Sequence, residues 1–176
     1  MSIQIALLRG INVGGNRILP MAELGELLGG LGARNVKTYI QSGNAVFYGG
    51  LSSEAIADSI EVANGFRPQV LVLSLGDYCD VIAGNPFPEA VEDPKSLHIF
   101  FQAAPSSVDT ALLEAAKGPE ERFVLTERAL YLHTPKYLSG SKLAVKLEKL
   151  MGVTVTARNW RSATKILDLA NSLTLD

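Results

Sequence analysis

Cysteine, histidine and tryptophan are scarce in this chain, and each shortage removes a class of chemistry. The single Cys79 cannot form an internal disulfide. With only His98 and His133 beside it, no ligands stand at zinc-site spacing, so neither a metal nor a cofactor is expected. Antiparallel pairing of the strands carrying the two histidines would bring the imidazoles together, although histidines without carboxylates nearby in sequence suit a sheet lining better than an ion site. No apolar run approaches the ~18 residues of a membrane span, so no membrane partner is expected. Residues 1–6 lack the basic start and small-residue cleavage site of a signal peptide, which with the lone thiol points to the cytoplasm. A surplus of positive charge is missing too. The net charge of -2 argues against a general nucleic-acid coat protein, which needs many cations to neutralise phosphates.

What is present is a hydrophobic share of 47% against 19% charged residues, enough for a packed core and too apolar for a disordered class. The charges are unevenly placed: residues 50–127 hold 13 acidic and 4 basic side chains, whereas residues 136–165 hold 7 basic ones and only Glu148 as an acid. Such a basic segment is either a solvated helix face or a groove for an anionic partner.

Apolar spacing lays out the elements in order. Ile3–Leu8 reads as a strand covered on both faces. Pro20, Glu23 and the Met21, Leu24, Leu27, Leu28, Leu31 stripe specify a helix. Val36–Ile40 and Ala45–Tyr48 form a hairpin around Gln41-Ser42-Gly43-Asn44. Ser52 or Ser53 caps a helix ended by Gly65, and Val70–Leu73 is a strand. A short helix over 77–83 leads into Gly84–Pro94, where three prolines and three acids concentrate. Beyond it the pattern starts again: strand Leu97–Phe101, a helix capped by Ser106 or Ser107, a hairpin of Phe123–Leu125 and Leu130–Leu132, a helix with Leu143, Leu147 and Leu150, a strand Val153–Ala157, and a last helix from about Asn159. The order repeats at an offset near 87, as Gly65 and Gly152 show.

This reads as an α+β chain of two ferredoxin-like (βαββαβ) halves in tandem, an architectural duplication with a C-terminal helix. The boundaries are 1–84 for the first half, 85–95 for a linker, and 96–176 for the second half with its basic helices. Right-handed crossover makes the first two strands run parallel, with the hairpin turning back between them. The end of the first strand and the hairpin tip then share one sheet edge, which sets Arg9, Asn12, Gly14, Gly15, Asn16 and Arg17 beside Gln41, Ser42 and Asn44. The second half would hold Gln102–Ser106 and Thr126–Arg128 there, a plainer set.

The run Gly10-Ile-Asn-Val-Gly-Gly-Asn-Arg17 has the glycine spacing of a phosphate loop, but Asn16 and Arg17 replace the lysine and hydroxyl residue that nucleotide hydrolysis needs. A weaker expectation survives: amides of Gly14 and Gly15 with Arg9 and Arg17 cradle a phosphate or carboxylate. The alternative is a tight turn whose glycines supply positive φ.

The runs Ala6-Leu-Leu-Arg-Gly-Ile-Asn-Val-Gly-Gly15, Tyr39-Ile-Gln-Ser-Gly-Asn44 and Ala157-Arg-Asn-Trp160 together resemble the bacterial domain-of-unknown-function family number 1697. The resemblance implies two ferredoxin-like halves and no established activity. Members of that family often carry a lysine after the double glycine, where this chain has Asn16.

A second anion site is expected at Ser141, Lys142, Arg158, Asn159, Trp160 and Arg161. Ser139-Gly-Ser-Lys142 has the Ser-x-x-Lys spacing of serine nucleophiles, without the companion motifs, and a serine N-cap explains it better. Lys142, Lys146 and Lys149 form a cationic stripe, Asn159 is a good N-cap, and Trp160 offers either a stacking face or a packing anchor. The hairpin strand lacks the aromatic pair with which such sheets stack RNA bases, so nucleic acid would have to use the loops and basic helices. The functional expectation is therefore a cytoplasmic protein binding a small phosphorylated or carboxylated ligand at the glycine loop and hairpin tip. The alternative is a nucleic-acid-binding or regulatory protein using the basic helices.

Overall fold

The computed structural model describes residues 1–173, which form two four-stranded antiparallel sheets and six α-helices. The elements are β1 (Ser2–Arg9), α1 (Met21–Gly30), β2 (Arg34–Tyr39), β3 (Asn44–Gly49), α2 (Ser53–Asn64), β4 (Gln69–Ser74), α3 (Leu75–Ala83), β5 (Leu97–Gln102), α4 (Thr110–Ala116), β6 (Arg122–Leu125), β7 (Ala129–His133), α5 (Lys142–Met151), β8 (Val155–Asn159) and α6 (Trp160–Asn171). The first sheet has the order β2-β3-β1-β4, and the second, β6-β7-β5-β8, repeats it with every number raised by four. All neighbouring strands are antiparallel.

The chain divides into two compact units, Met1–Asp80 with residues 165–176, and Val81–Thr164. The division falls at Asp80 rather than at 84, residues 85–95 belong to the second unit, and the chain from Lys165 returns to the first. The 85–95 stretch is folded rather than a linker. Pro88–Glu92 forms a 3-10 helix, and Arg122 of β6 lies 4.7 Å over the Phe87 ring while donating to Glu89 Oε1 at 2.5 Å. Proline density marked irregular backbone correctly but said nothing of these contacts with strand residues farther along the chain.

In the first unit, Ala6, Leu8, Ala45 and Phe47 pack with Leu24 and Leu28 of α1 and Ile56 and Ile60 of α2. Each fully buried leucine or isoleucine among them contributes about 2 kcal/mol. The opposite sheet face is buried as well, since Ile5, Leu7 and Val46 have no exposed surface. Residues 172 and 173 are tied to these strands: Tyr48 Oη donates to Leu173 O at 3.3 Å, and Lys37 Nζ donates to Ser172 O at 3.3 Å. A strand buried on both faces needs the nearly continuous apolar run seen in β1. Among the described residues, β1 and β3 therefore offer no open face on which a base could stack.

Local signals place most boundaries. Ser52 Oγ accepts from Ala55 N and opens α2, and Gly65 closes it with φ 75°. Pro20 sits one residue before α1 as its N-cap. In the second unit, Phe100, Leu130, Leu132 and Val155 pack with Leu113 of α4 and with Leu143, Leu147 and Met151 of α5. There α4 starts at Thr110, capped by Asp109 accepting from Ala111 N at 2.9 Å, not by Ser106 or Ser107. Ser106 Oγ instead donates to Met151 O at 2.7 Å, a partner 45 residues away. The last strand begins at Val155, two residues later than apolar character alone indicated.

Candidate functional site

The segment after β1 is a miniature hairpin. Asn16 N donates to Val13 O at 3.0 Å and Asn12 N to Arg17 O at 3.0 Å, closing a two-residue turn on Gly14 and Gly15 with φ of 59° and 75°. Paired left-handed residues are what a tight hairpin turn with matching twist requires. The double glycine is thus the centre of a turn, and Asn16 to Pro20 separate it from α1, so its amides are not the opening turn of a helix.

This small hairpin is fastened to the tip of the β2–β3 hairpin. Asn12 is the fastener: Nδ2 donates to Gln41 O at 2.8 Å and to Leu19 O at 2.9 Å, and Oδ1 accepts from Leu19 N at 2.8 Å. Leu8 N donates to Gly43 O at 2.8 Å. At Gly43, with φ 93°, an added Cβ would stand 2.7 Å from both Ile11 Cδ1 and Leu8 Cβ, so only glycine fits the junction. The two polar segments expected at one sheet edge are joined there by named hydrogen bonds.

The residues differ in what they present. Gly14, Gly15, Asn16, Arg17, Gln41 and Ser42 are exposed. Arg17 has φ 51°, and its guanidinium lies over Gly10, where a Cβ would meet Nη1 at 3.4 Å. Arg9 is half-buried, with Nη1 donating to Gln69 Oε1 at 3.2 Å on the β4 side. Asn44 is a correction to the expected ligand set. It is 1% exposed, and its Nδ2 donates to Tyr39 O at 2.8 Å and Ser42 Oγ at 3.2 Å, which holds the hairpin from beneath. Asn12 has the same structural character. Of the expected set, Arg17, Asn16, Gln41 and Ser42 present exposed polar side chains.

The second expected group is largely engaged inside the fold. Ser141 is the N-cap of α5, its Oγ accepting from Ala144 N at 3.0 Å. The anion at this helix start is supplied by the chain itself. Glu121 Oε1 accepts from Lys142 N at 3.0 Å, and Oε2 accepts from Gly118 N at 2.6 Å and Leu143 N at 3.2 Å. Burial pushes this carboxyl up, but the Gly118, Leu143 and Lys142 amides and the Ser141 hydroxyl together hold it below the usual carboxylate range. Sequence reading missed Glu121, because no local pattern links it to a helix start 21 residues on.

Arg158 is buried, with Nη1 donating to Ala157 O at 2.8 Å. Asn159 Oδ1 accepts from Ser162 N at 2.8 Å as a cap, Trp160 is half-buried, and Arg161 is exposed. The histidines do not meet: His98 is opposite Leu132 and His133 opposite Leu97, so alternation sends the two rings to opposite faces.

Among the described residues, surface cavities lie elsewhere. One of about 120 Å³ is lined by Pro119, Glu121, Thr134, Tyr137 and Lys142; a groove of about 610 Å³ is lined by Lys117, Ser139, Ser141, Lys142 and Lys146; and one of about 470 Å³ lies between α1 and α2.

A model of the family described as Protein of unknown function (DUF1697) matches residues 1–131. The chain belongs to that family. Among solved structures, it is similar to the conserved bacterial protein SP0830 from Streptococcus pneumoniae, with 23% identity, a TM-score of 0.67, and 98% of this chain and 99% of that one covered. At that identity the likeness establishes the fold alone. Among curated proteins, none matches the chain.

Proposed function

We propose that the protein binds a small phosphorylated or carboxylated ligand at the Arg9–Arg17 and Gln41–Ser42 edge of its first unit, and that it works in the cytoplasm. The supporting scaffold is a pair of ferredoxin-like halves in tandem. That reading rests on the βαββαβ order and on a strand order that recurs from the first sheet to the second. The observation that carries the ligand reading is Arg17: a non-glycine residue in the left-handed region, fixed by its carbonyl to Asn12 N, with an exposed cationic head. Left-handed backbone at an arginine costs about 1 kcal/mol or more, and such strain gathers at ligand clamps. No acid competes for an anion in the two segments, since residues 9–22 and 27–53 contain no Asp or Glu.

Thermal-shift titration with inorganic phosphate and citrate tests this. Both anions stabilise the native protein, and Arg17→Ala removes the effect while the free protein stays folded. Equal shifts in the two proteins, or none in either, would sink the reading. Asn44→Ala is unsuitable as a probe, because it removes a buried hairpin support.

The groove lined by Lys117, Lys142 and Lys146 favours a second reading, nucleic-acid binding or regulation through the basic helices. It predicts salt-dependent retention of RNA or DNA in filter binding, reduced by Lys142→Ala and Lys146→Ala.

A further inference from the structure

Polar groups account for only part of the glycine-loop edge. Val13, Ile18 and Ile40 are 67%, 54% and 45% exposed, and all three belong to the two segments that Asn12 fastens together. Their neighbours Ile11 and Leu19 point inward, at 2% and 0%. Ile40 is the informative one. It has φ 48°, a conformation that β-branched residues avoid and that asparagine or glycine accepts readily. Its position is set on both sides, because its carbonyl accepts from Gly43 N at 3.2 Å and the next carbonyl, that of Gln41, accepts from Asn12 Nδ2. The strain lowers the folding equilibrium by roughly tenfold, and at this exposure burial returns little of it.

The same two fastened segments carry the exposed Arg17, next to Ile18 in the chain, and no carboxylate. We infer that the ligand of this edge is amphipathic, a single molecule with an anionic head at Arg17 and an alkyl chain lying across Val13, Ile18 and Ile40. The inference rests on the anion-binding reading and adds its substrate class. A bilayer surface fits less well, since anionic membranes are held by clusters of about 4–8 cations and the glycine loop and hairpin tip, residues 9–22 and 39–44, offer two arginines. Strain at Ile40 then has a purpose: it keeps an aliphatic side chain where the chain of the ligand passes.

Isothermal titration with inorganic phosphate and with ethyl, butyl, hexyl and octyl phosphate, each below its aggregation concentration, tests this. Affinity is expected to rise about two- to fourfold per methylene until the three side chains are covered. Ile40→Asn should lose the part of the chain-length gain that comes from methylenes passing Ile40 while melting at a higher temperature than the native protein, a combination that unfolding cannot mimic. Ile18→Ser should flatten the series in part. Phosphate binding without chain-length dependence overturns this inference and leaves the anion site standing. Absence of phosphate binding to the native protein overturns both. An Ile40→Asn variant that keeps the full chain-length dependence, or binding to anionic phospholipid vesicles without binding to octyl phosphate, also overturns the inference.

Discussion

Asn12 in the first unit and Gln102 in the second do the same work, yet the surfaces they support differ. Asn12 ties the loop after β1 to the Gln41 carbonyl at the hairpin tip. Gln102 ties the loop after β5 to its own hairpin, with Nε2 donating to Thr126 O at 2.9 Å and Oε1 accepting from Ser106 N at 3.1 Å. In the second unit the tip folds back on itself, Thr126 Oγ1 donating to Ala129 O at 2.9 Å, and no non-glycine residue there has positive φ among the described residues. In the first, Asn12, Arg17 and Ile40 all do. A side-chain amide joining loop to hairpin therefore does not require strained backbone. The left-handed backbone at Arg17 and Ile40 is the feature on which a ligand is proposed for the first edge.

The sharpest way to break the comparison is at Gly43, which has no glycine counterpart in the β6–β7 turn. Gly43→Ala puts a methyl group into Leu8 and Ile11 on a left-handed backbone, and should cost about 3 to 4 kcal/mol in denaturant unfolding.

The units should also part under acid. His98, buried on β5 with its Nδ1 lacking a partner, is pushed down by burial to about 4, and both histidines lie in the second unit. An unfolded histidine titrates near 6.5, so between these values the unfolded chain takes up a proton that the folded one refuses. Stability of the second unit therefore falls as pH drops from 6.5 to about 4, by about 3 kcal/mol in total. Fluorescence of the sole Trp160, which reports on this unit, should show the loss, and His98→Leu should flatten it. An unchanged slope in that variant would remove His98 as the cause.

A smaller effect sharpens the contrast. Asn12→Ala and Gln102→Ala should each cost about 2 kcal/mol by leaving partly buried carbonyl and amide groups unpaired. Asn12→Ala should also weaken stabilisation by phosphate, indirectly, by releasing the loop that carries Arg17, whereas Gln102→Ala should leave it unchanged. Loss of binding in both variants would mean that the edge of the first unit has no special role.

Much of the fold was legible because it is written locally. The nearly continuous apolar run of β1, the Ser52 and Gly65 helix signals and the Gly43 turn each act within a few residues. The juxtaposition of glycine loop and hairpin tip followed from element order alone. What escaped notice acts over long separations: Glu121 reaching the start of α5, Ser106 reaching Met151, Arg122 stacking on Phe87. Asn44 was misjudged for a related reason. A polar residue at a turn reads as available for binding, and only the register with β1, which buries it opposite Leu7, shows that it faces inward.

The first sheet is closed by a segment far along the sequence. Its β3 Tyr48 and β2 Lys37 bond to Leu173 and Ser172, 125 and 135 residues away. A truncation before Ser172 would leave the glycine loop and hairpin in the chain and strip β2 and β3 of both ties.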